Sequence, residues 1–181
     1  VVDFGTARTC SGIALPDGYE SEVCTGLAPW FESIAYSLER GVLLFIDYGF
    51  PRAEYFHAQR SQGTLLCHYR HRVHDDPLHW PGLSDITSHV DFTAIAEAGE
   101  RAGLAVAGFA AQAPFLLGCG ILELLAAAGA PGSAAYAKSA AAVQKLLSPA
   151  EMGELFKVLA FARSEEIRWP GFTLADHRHR L

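Results

Sequence analysis

The strongest candidate for chemistry is a carboxylate at the end of an apolar segment. Residues 42–46 form an all-apolar run that stops at Asp47, Tyr48 and Gly49. Such a run predicts a buried parallel strand, and ligands of α/β sheets bind at the carboxyl ends of such strands. Asp47 would therefore face a binding crevice, where it could pair with a cationic group. The alternative is that Asp47 caps the following turn and that Gly49 supplies a positive φ.

A second group of polar side chains comes in residues 82–92. It contains Asp85, Thr87, Ser88, His89 and Asp91, set around the apolar Ile86 and Val90. A polar loop held between apolar anchors can present carboxylates and an imidazole to a site. Helix capping is the alternative, and it accounts for Asp91 directly before the helix predicted from Phe92. Capping does not explain Asp85 or His89, so both stay candidate site residues.

The chain also carries a histidine cluster that suggests a metal. His68, His71 and His74 are three residues apart, and His79 follows them. Ligands at this spacing converge on a helix, but residues 65–69 are strand-like, and along a strand that spacing alternates between the two faces. No H-E-x-x-H or C-x-x-C pattern accompanies the cluster. The sequence therefore predicts no metal site and favours a solvated or partner-contacting surface.

The elements that would position these residues alternate as in a doubly wound α/β fold. Apolar residues at three-to-four spacing predict a helix from Thr25 to Arg40, and the strand of residues 42–46 follows almost at once. A helix from Phe92 and a strand at residues 104–109 repeat the pattern. The expected fold class is therefore α/β.

The remaining segments predict an insertion and further helices. Residues 50–80 form a long polar excursion with a strand-like centre, which predicts a lid-like insertion. A helix is predicted over residues 115–128. Residues 135–163 are predicted to be C-terminal helices, the last of which starts at Ser148 with a proline at its first position. Residues 1–19 suggest a hairpin or an irregular strand pair.

Composition bounds the class of protein. The chain has 181 residues, which predicts one domain over residues 1–181, and 50% of them are hydrophobic. With 14 Lys plus Arg against 20 Asp plus Glu, the net charge of −6 argues against a nucleic-acid partner. No apolar run is long enough for a bilayer, so no membrane partner is expected. The four cysteines are widely spread, which is typical of reduced thiols and predicts a cytoplasmic location.

Several of these segments resemble a known family. Residues 42–51 and 82–92 together resemble the MidA-like S-adenosylmethionine-dependent methyltransferases, whose mitochondrial members methylate an arginine in a complex I subunit. The resemblance continues through residues 115–121 and 147–153, and it covers the second half of the family's pattern. It implies the C-terminal part of a Rossmann-like class I methyltransferase sheet. The glycine-rich turn that holds the cofactor in that class is not found in this sequence.

The resemblance implies a reaction and roles for particular residues. It implies methyl transfer from S-adenosylmethionine to an arginine side chain of a protein substrate. Asp47, Asp85 and Glu22 are the expected catalytic acids, Glu22 because the family has a glutamate in a comparable segment before the first helix. Tyr48, His89 and Asp91 are expected to bind substrate. The cofactor-binding residues stay unassigned, and a homo-oligomer is left open.

Two other classes of function stay open at this point. The first is a non-catalytic interaction module, in which residues 50–80 dock a partner protein during assembly. The second is a metal-dependent hydrolase built on the histidines. For Glu22 itself, an acid that stabilises the start of a helix is the alternative to a catalytic role.

Overall fold

The structure is a computed structural model that describes residues 2–3, 9–10, 13–164 and 169–181. Its strands and helices in chain order are β1 (Val2–Asp3), β2 (Thr9–Cys10), β3 (Ile13–Ala14), β4 (Glu20–Ser21), α1 (Leu27–Ser37), β5 (Gly41–Phe50), α2 (Arg52–Tyr55), β6 (Leu66–Tyr69), β7 (Arg72–His74), β8 (Asp85–Thr87), β9 (Val90–Asp91), α3 (Phe92–Arg101), β10 (Ala105–Ala111), α4 (Gln112–Gly118), α5 (Ile121–Ala127), α6 (Ala134–Leu147) and β11 (Phe156–Arg163). Single 3-10 turns lie at Ala58–Arg60, Pro170–Phe172 and Arg178–Arg180.

The main sheet has four strands in the order β10–β11–β5–β9. β11 runs antiparallel to both β10 and β5, whereas β9 is parallel to β5 and pairs only with Gly49 and Phe50. Along residues 41–48, the described part of the chain therefore pairs β5 on one side only. Helices and strands mix as predicted, so the α/β fold class is confirmed.

The core lies on one face of this sheet, beneath α1 and α3. The rings of Phe31 and Phe161 have centroids 5.5 Å apart, and Phe45 lies 5.7 Å from Phe31. Phe92, the first residue of α3, packs 5.4 Å from Phe109 of β10. Full burial of such side chains is the main stabilising contribution here, at roughly 1.5–3 kcal/mol each. The same packing fixes the carboxyl end of β5 relative to the start of α3.

A second, smaller antiparallel sheet is formed by residues 66–87, and we name it the arm. Its strands have the order β7–β6–β8. Arg70 and His71 form its tip, with φ values of 47° and 64° that glycine or asparagine would normally adopt. The arm begins within the predicted insertion of residues 50–80 but extends past it into β8. That the insertion acts as a lid stays a prediction.

Two predictions about the C-terminal third need correction. The helix expected from Ser148 to Arg163 is wrong: a turn follows Ser148, and β11 is a central strand of the sheet. A Cβ on Gly153 would lie 2.2 Å from the carbonyl oxygen of Leu147, so that turn is tight. The helix expected over residues 115–128 is instead α4 and α5, which break at Gly120, where φ is 84°.

Other predicted elements are confirmed. The strand at residues 42–46 is β5, the strand at 104–109 is β10, and α6 matches the first of the two C-terminal helices. For the strand pair predicted in residues 1–19, β2 pairs with β3, while residues 1, 4–8 and 11–12 lie outside the described part. Among the described residues, no helix combines the length and apolar composition that crossing a membrane requires.

Candidate functional site

The carboxyl end of β5 presents Asp47 to solvent. The Oδ1 atom of Asp47 accepts a hydrogen bond of 2.8 Å from the backbone N–H of Tyr48. Its Oδ2 atom accepts no hydrogen bond within the described residues, so one carboxylate oxygen remains available to a ligand. Lys157 is the cross-strand neighbour of Asp47 on β11. Asp47 therefore lies near the carboxyl end of β5 but three residues before the strand ends at Phe50, and its neighbouring strand is antiparallel, which corrects the predicted parallel strand of residues 42–46.

His89 lies beside this strand end in an aromatic environment. Its ring packs edge-on against Tyr48 and Phe50, with centroids 5.3 Å away in both cases. The Nδ1 atom of His89 is buried and has no hydrogen-bond partner in the structure. Burial, together with the positive charge of Arg60, lowers the pKa of His89, although Glu22 and Asp47 act in the opposite direction. The imidazole is therefore neutral near pH 7.

Glu22 lies among hydrogen-bond donors, and its predicted catalytic role stays a prediction. Its carboxylate accepts hydrogen bonds from the backbone N–H groups of Thr64 and Leu65 at 2.9–3.1 Å, and from the Thr64 hydroxyl at 3.2 Å. The Tyr55 hydroxyl lies 3.4 Å from Glu22 Oε2. Burial, reinforced by the Glu22 charge, raises the pKa of Tyr55 to about 12, so Tyr55 acts as a donor. Glu22 thus anchors the segment that leads into the arm.

Asp91 caps a helix and pairs with an arginine. Its Oδ1 atom accepts from the N–H of Ala94 at 3.1 Å, and its Oδ2 atom accepts from Arg52 Nε at 3.1 Å. Arg52 also donates two hydrogen bonds to Glu97, at 2.6 and 2.9 Å. These bonds lower the pKa of Glu97. The capping alternative for Asp91 is confirmed, and its predicted contact with substrate stays a prediction.

Asp85 is separated in the fold from the β5 rim by its position on the arm. It lies exposed on β8, opposite His68 of β6. Like Asp47 and Tyr48, it is not among the residues that line the two clefts beside His89. Its predicted catalytic role stays a prediction, without support from a contact in the described structure.

The histidines of the arm pack against each other and against polar neighbours. The rings of His74 and His79 lie 5.3 Å apart, and His74 Nε2 lies 3.3 Å from Ser84 Oγ. Within residues 2–3, 9–10, 13–164 and 169–181, no group of three His, Cys, Asp or Glu side chains could hold a metal ion. The structure therefore gives the metal-dependent hydrolase no supporting observation.

Two clefts meet at Glu22 and His89. One, of about 490 Å³, lies between α1 and α3 and is mainly apolar, with Leu27, Phe56 and Ile95 in its wall. The other, of about 590 Å³, lies toward the arm and is more polar than the first, lined by residues that include Arg60, Thr64 and Asp75. His89 thus lies between an apolar cleft and a more polar one, which suits a site that receives a long side chain with a charged end.

Comparison with known proteins now gives the family. Residues 4–110 match the family described as "Putative S-adenosyl-L-methionine-dependent methyltransferase". The chain belongs to this family. The matched range contains β5, the arm, His89 and α3, so it includes the candidate site built above.

Individual relatives agree with this assignment. The chain is 32% identical over 162 residues to the Drosophila melanogaster "Protein arginine methyltransferase NDUFAF7 homolog, mitochondrial", covering 86% of the chain and 32% of that protein. A Burkholderia thailandensis crystal structure with bound S-adenosyl-homocysteine is 49% identical, with a TM-score of 0.88 over 94% of this chain. A native crystal structure of an uncharacterized protein from the same organism is also 49% identical to the chain, with a TM-score of 0.89. The chain spans 44% and 46% of those two chains.

Sequence reasoning missed the residues that support the site. Thr64 connects Glu22 to His89, and Arg60 places its guanidinium 4.1 Å from the ring centroid of Phe50. The available signal was Gly63 beside Thr64, because a glycine within a strand-like segment marks a close backbone approach. Gly63 has a φ of 72°, and a Cβ there would lie 2.1 Å from Glu22 Oε1.

Proposed function

We propose that this chain supplies the methyl-acceptor side of an S-adenosylmethionine-dependent methyltransferase that acts on arginine side chains of a protein. Membership of the methyltransferase family supports the reaction class. The relative named as a protein arginine methyltransferase supports the acceptor. The observation that carries the proposal is the exposed Asp47 carboxylate at the end of β5, beside Tyr48 and a neutral His89.

These side chains suit a guanidinium group. Arginine keeps its positive charge in proteins, so its site needs an acceptor-only group with a free lone pair, and Asp47 Oδ2 is such an acceptor. The ring of Tyr48 offers a face or an edge to a planar cation. The unpartnered Nδ1 of His89 can accept a hydrogen bond from a guanidinium N–H. Together they would orient the acceptor nitrogen and limit its contact with water.

The proposal assigns no donor-binding role to Asp47, Tyr48 or His89. S-adenosylmethionine would supply the methyl group, which would pass from sulfur to the acceptor nitrogen as that nitrogen loses a proton and S-adenosyl-homocysteine is left, so catalysis would depend mainly on positioning. In the described part of the chain, no glycine-rich turn links a strand to a helix in the manner that dinucleotide-type sites require. No residue here is therefore assigned to the donor, and the acceptor side is what the chain contributes.

Binding of an arginine peptide tests the acceptor assignment directly. We expect the peptide to shift the backbone amide NMR signals of Tyr48 and His89 in this chain. A matched citrulline peptide, which has the same shape without the charge, should leave them in place. Asp47→Asn should weaken arginine binding about tenfold, because it replaces a charge-assisted hydrogen bond with a neutral one.

The same peptide-binding assay provides the control for the Asp47→Asn substitution and the result that would contradict the proposal. Glu39→Gln removes an exposed acid at the opposite end of β5 and should leave arginine binding unchanged. Equal affinity of the chain for arginine and citrulline peptides would remove the acceptor assignment. Calorimetric titration of S-adenosyl-homocysteine separately reports whether the chain also forms a donor site. Asp47→Asn should not weaken that binding.

The arm favours one alternative, a protein-interaction module without catalysis. Its outer face exposes Leu66 and Val73 at 45% and 58%, next to the strained basic tip at Arg70 and His71. Exposed apolar side chains concentrated in one place mark protein contact surfaces. Hydrogen exchange with a partner protein present would test this, and absence of added protection in residues 66–87 would contradict it.

A further inference from the structure

Thr64 lies at the centre of a hydrogen-bond chain that connects three distant parts of the sequence. Its hydroxyl accepts a hydrogen bond of 2.9 Å from the backbone N–H of His89. The same hydroxyl donates to Glu22 Oε2 at 3.2 Å. A threonine hydroxyl has one proton and two lone pairs, so both bonds can exist at once. The direction of the chain is thereby fixed, from His89 through Thr64 to Glu22.

Glu22 holds Thr64 by more than this one bond. Its carboxylate also accepts from the N–H of Thr64 and from the N–H of Leu65, at 2.9–3.1 Å. All these partners are donors, and the two carboxylate oxygens of Glu22 accept from them. Gly63 makes the approach possible, since a side chain at that position would meet the Glu22 carboxylate.

His89 needs such a support because its imidazole has few polar contacts of its own. Its buried Nδ1 has no partner, and its ring is held by the edges of Tyr48 and Phe50. The charged groups that act on it are Arg60, Glu22 and Asp47, from the segments on either side of the rim. The backbone bond to Thr64 is the polar contact that sets where the ring enters the site.

We propose that Thr64 and Glu22 are positioning residues that hold the His89 imidazole at the rim of the sheet, with Thr64 as the connecting group. Both residues line the cleft on the arm side of His89, where their hydrogen bonds to each other and to the His89 backbone occupy them. In this proposal Glu22 acts through Thr64 on His89 rather than as a catalytic acid. That His89 faces a methyl acceptor rests on the proposed function, but the hydrogen-bond chain does not.

Substitution of Thr64 tests the connection. Thr64→Val keeps the shape and removes the hydroxyl, whereas Thr64→Ser keeps the hydroxyl and loses a methyl group. We expect NMR titration of the His89 ring to show its pKa rising toward the ordinary value in Thr64→Val, because the ring becomes more exposed. Thr64→Ser should restore the wild-type titration. A purely structural role of the threonine methyl group would give the opposite ranking.

A second measurement does not depend on whether the variants fold. In the unsubstituted chain, the His89 amide should exchange with deuterium at least tenfold more slowly than the neighbouring Ser88 amide. Exchange of His89 as fast as that of Ser88, or a His89 titration that Thr64→Val leaves unchanged, would overturn the proposal. If the arginine peptide does not bind but the exchange and titration results are as expected, the proposed arginine acceptor is wrong and the positioning role of Thr64 and Glu22 still holds.

Discussion

At the scale of single residues, the most informative side chain is His89. Its pKa is lowered in the folded chain, mainly by burial. The unfolded chain therefore takes up a proton at a higher pH than the folded chain does. Between these two pKa values the unfolded state binds more protons, so the free energy of unfolding must fall as the pH falls.

His89 is therefore expected to make the free energy of unfolding depend on pH in the acid range. His89→Asn should reduce the loss of unfolding free energy as pH is lowered below the ordinary histidine pKa, measured by urea unfolding at several pH values. His71→Asn is the matched control, because His71 lies exposed at the tip of the arm in a conformation that asparagine tolerates. The same pH slope in wild type and His89→Asn would show that His89 is solvated.

The sequence predicted which residue types lie at the rim, but it did not predict which of them form hydrogen bonds with each other. Asp47 lies at the end of β5 because an apolar run ending in an acid has a clear structural meaning. Glu22 and Thr64 are 42 positions apart, and their contact depends on where β4 and β6 are placed by the fold. Local patterns contain no information about that contact, so the sequence offered Glu22 only as a catalytic acid or as an acid that stabilises the start of α1, whose first turn has no acidic residue.

At the scale of elements, Gly49 decides whether β9 can join β5. A Cβ on Gly49 would lie 2.2 Å from the carbonyl oxygen of Val90 and 2.7 Å from its nitrogen. Because both obstacles are backbone atoms, a side chain cannot be accommodated by a rotamer change. The glycine is thus required by the close approach of β9, the strand that directly follows His89.

We expect Gly49→Ala to destabilise the chain by about 1–3 kcal/mol in urea unfolding, as overpacking does. It should also shift the NMR signals of His89, since β9 follows that residue directly. Gly26→Ala is the control, because a Cβ there meets nothing within 4 Å. It should cost less, on the order of 0.5 kcal/mol, because alanine is a poorer helix N-cap than glycine. Equal effects of the two substitutions would contradict the close approach.

The error over residues 148–163 has a physical cause at this scale. Ser148, Pro149 and Glu151 form a strong helix-start pattern, and the structure uses them for a turn instead. The following residues Val158–Ala162 are almost fully buried, and a run buried on both faces has neither the helical nor the alternating period. Residues 156–163 form a strand because they pair with both β5 and β10, and the placement of those two strands is set by the tertiary structure.

At the scale of the whole molecule, the open side of β5 is the main exposed feature. Leu44 and Ile46 are 40% and 47% exposed on this strand, whose residues 41–48 pair only with β11 in the described structure. Unpaired backbone groups flanked by apolar side chains favour pairing with another strand. The related solved structures are more than twice as long as this chain.

We therefore expect the chain on its own to self-associate through β5. The double substitution Leu44→Lys and Ile46→Lys should shift sedimentation toward the monomer, because charged side chains on an edge oppose strand pairing. Leu124→Lys is the control, since Leu124 is 70% exposed on α5, away from this edge. A monomeric wild-type chain under the same conditions, or an equal response to both changes, would contradict the expectation.

The position of β11 also has a consequence for synthesis on the ribosome. This strand is near the end of the chain, yet it lies between β5 and β10 and contributes the most deeply buried residues of the sheet. Until Phe156–Arg163 has emerged, β5 and β10 have no strand to join them. During synthesis there is therefore a period in which β5 and β10 lack the strand that lies between them. Their apolar residues are exposed in that period, and chaperones would be needed to protect them.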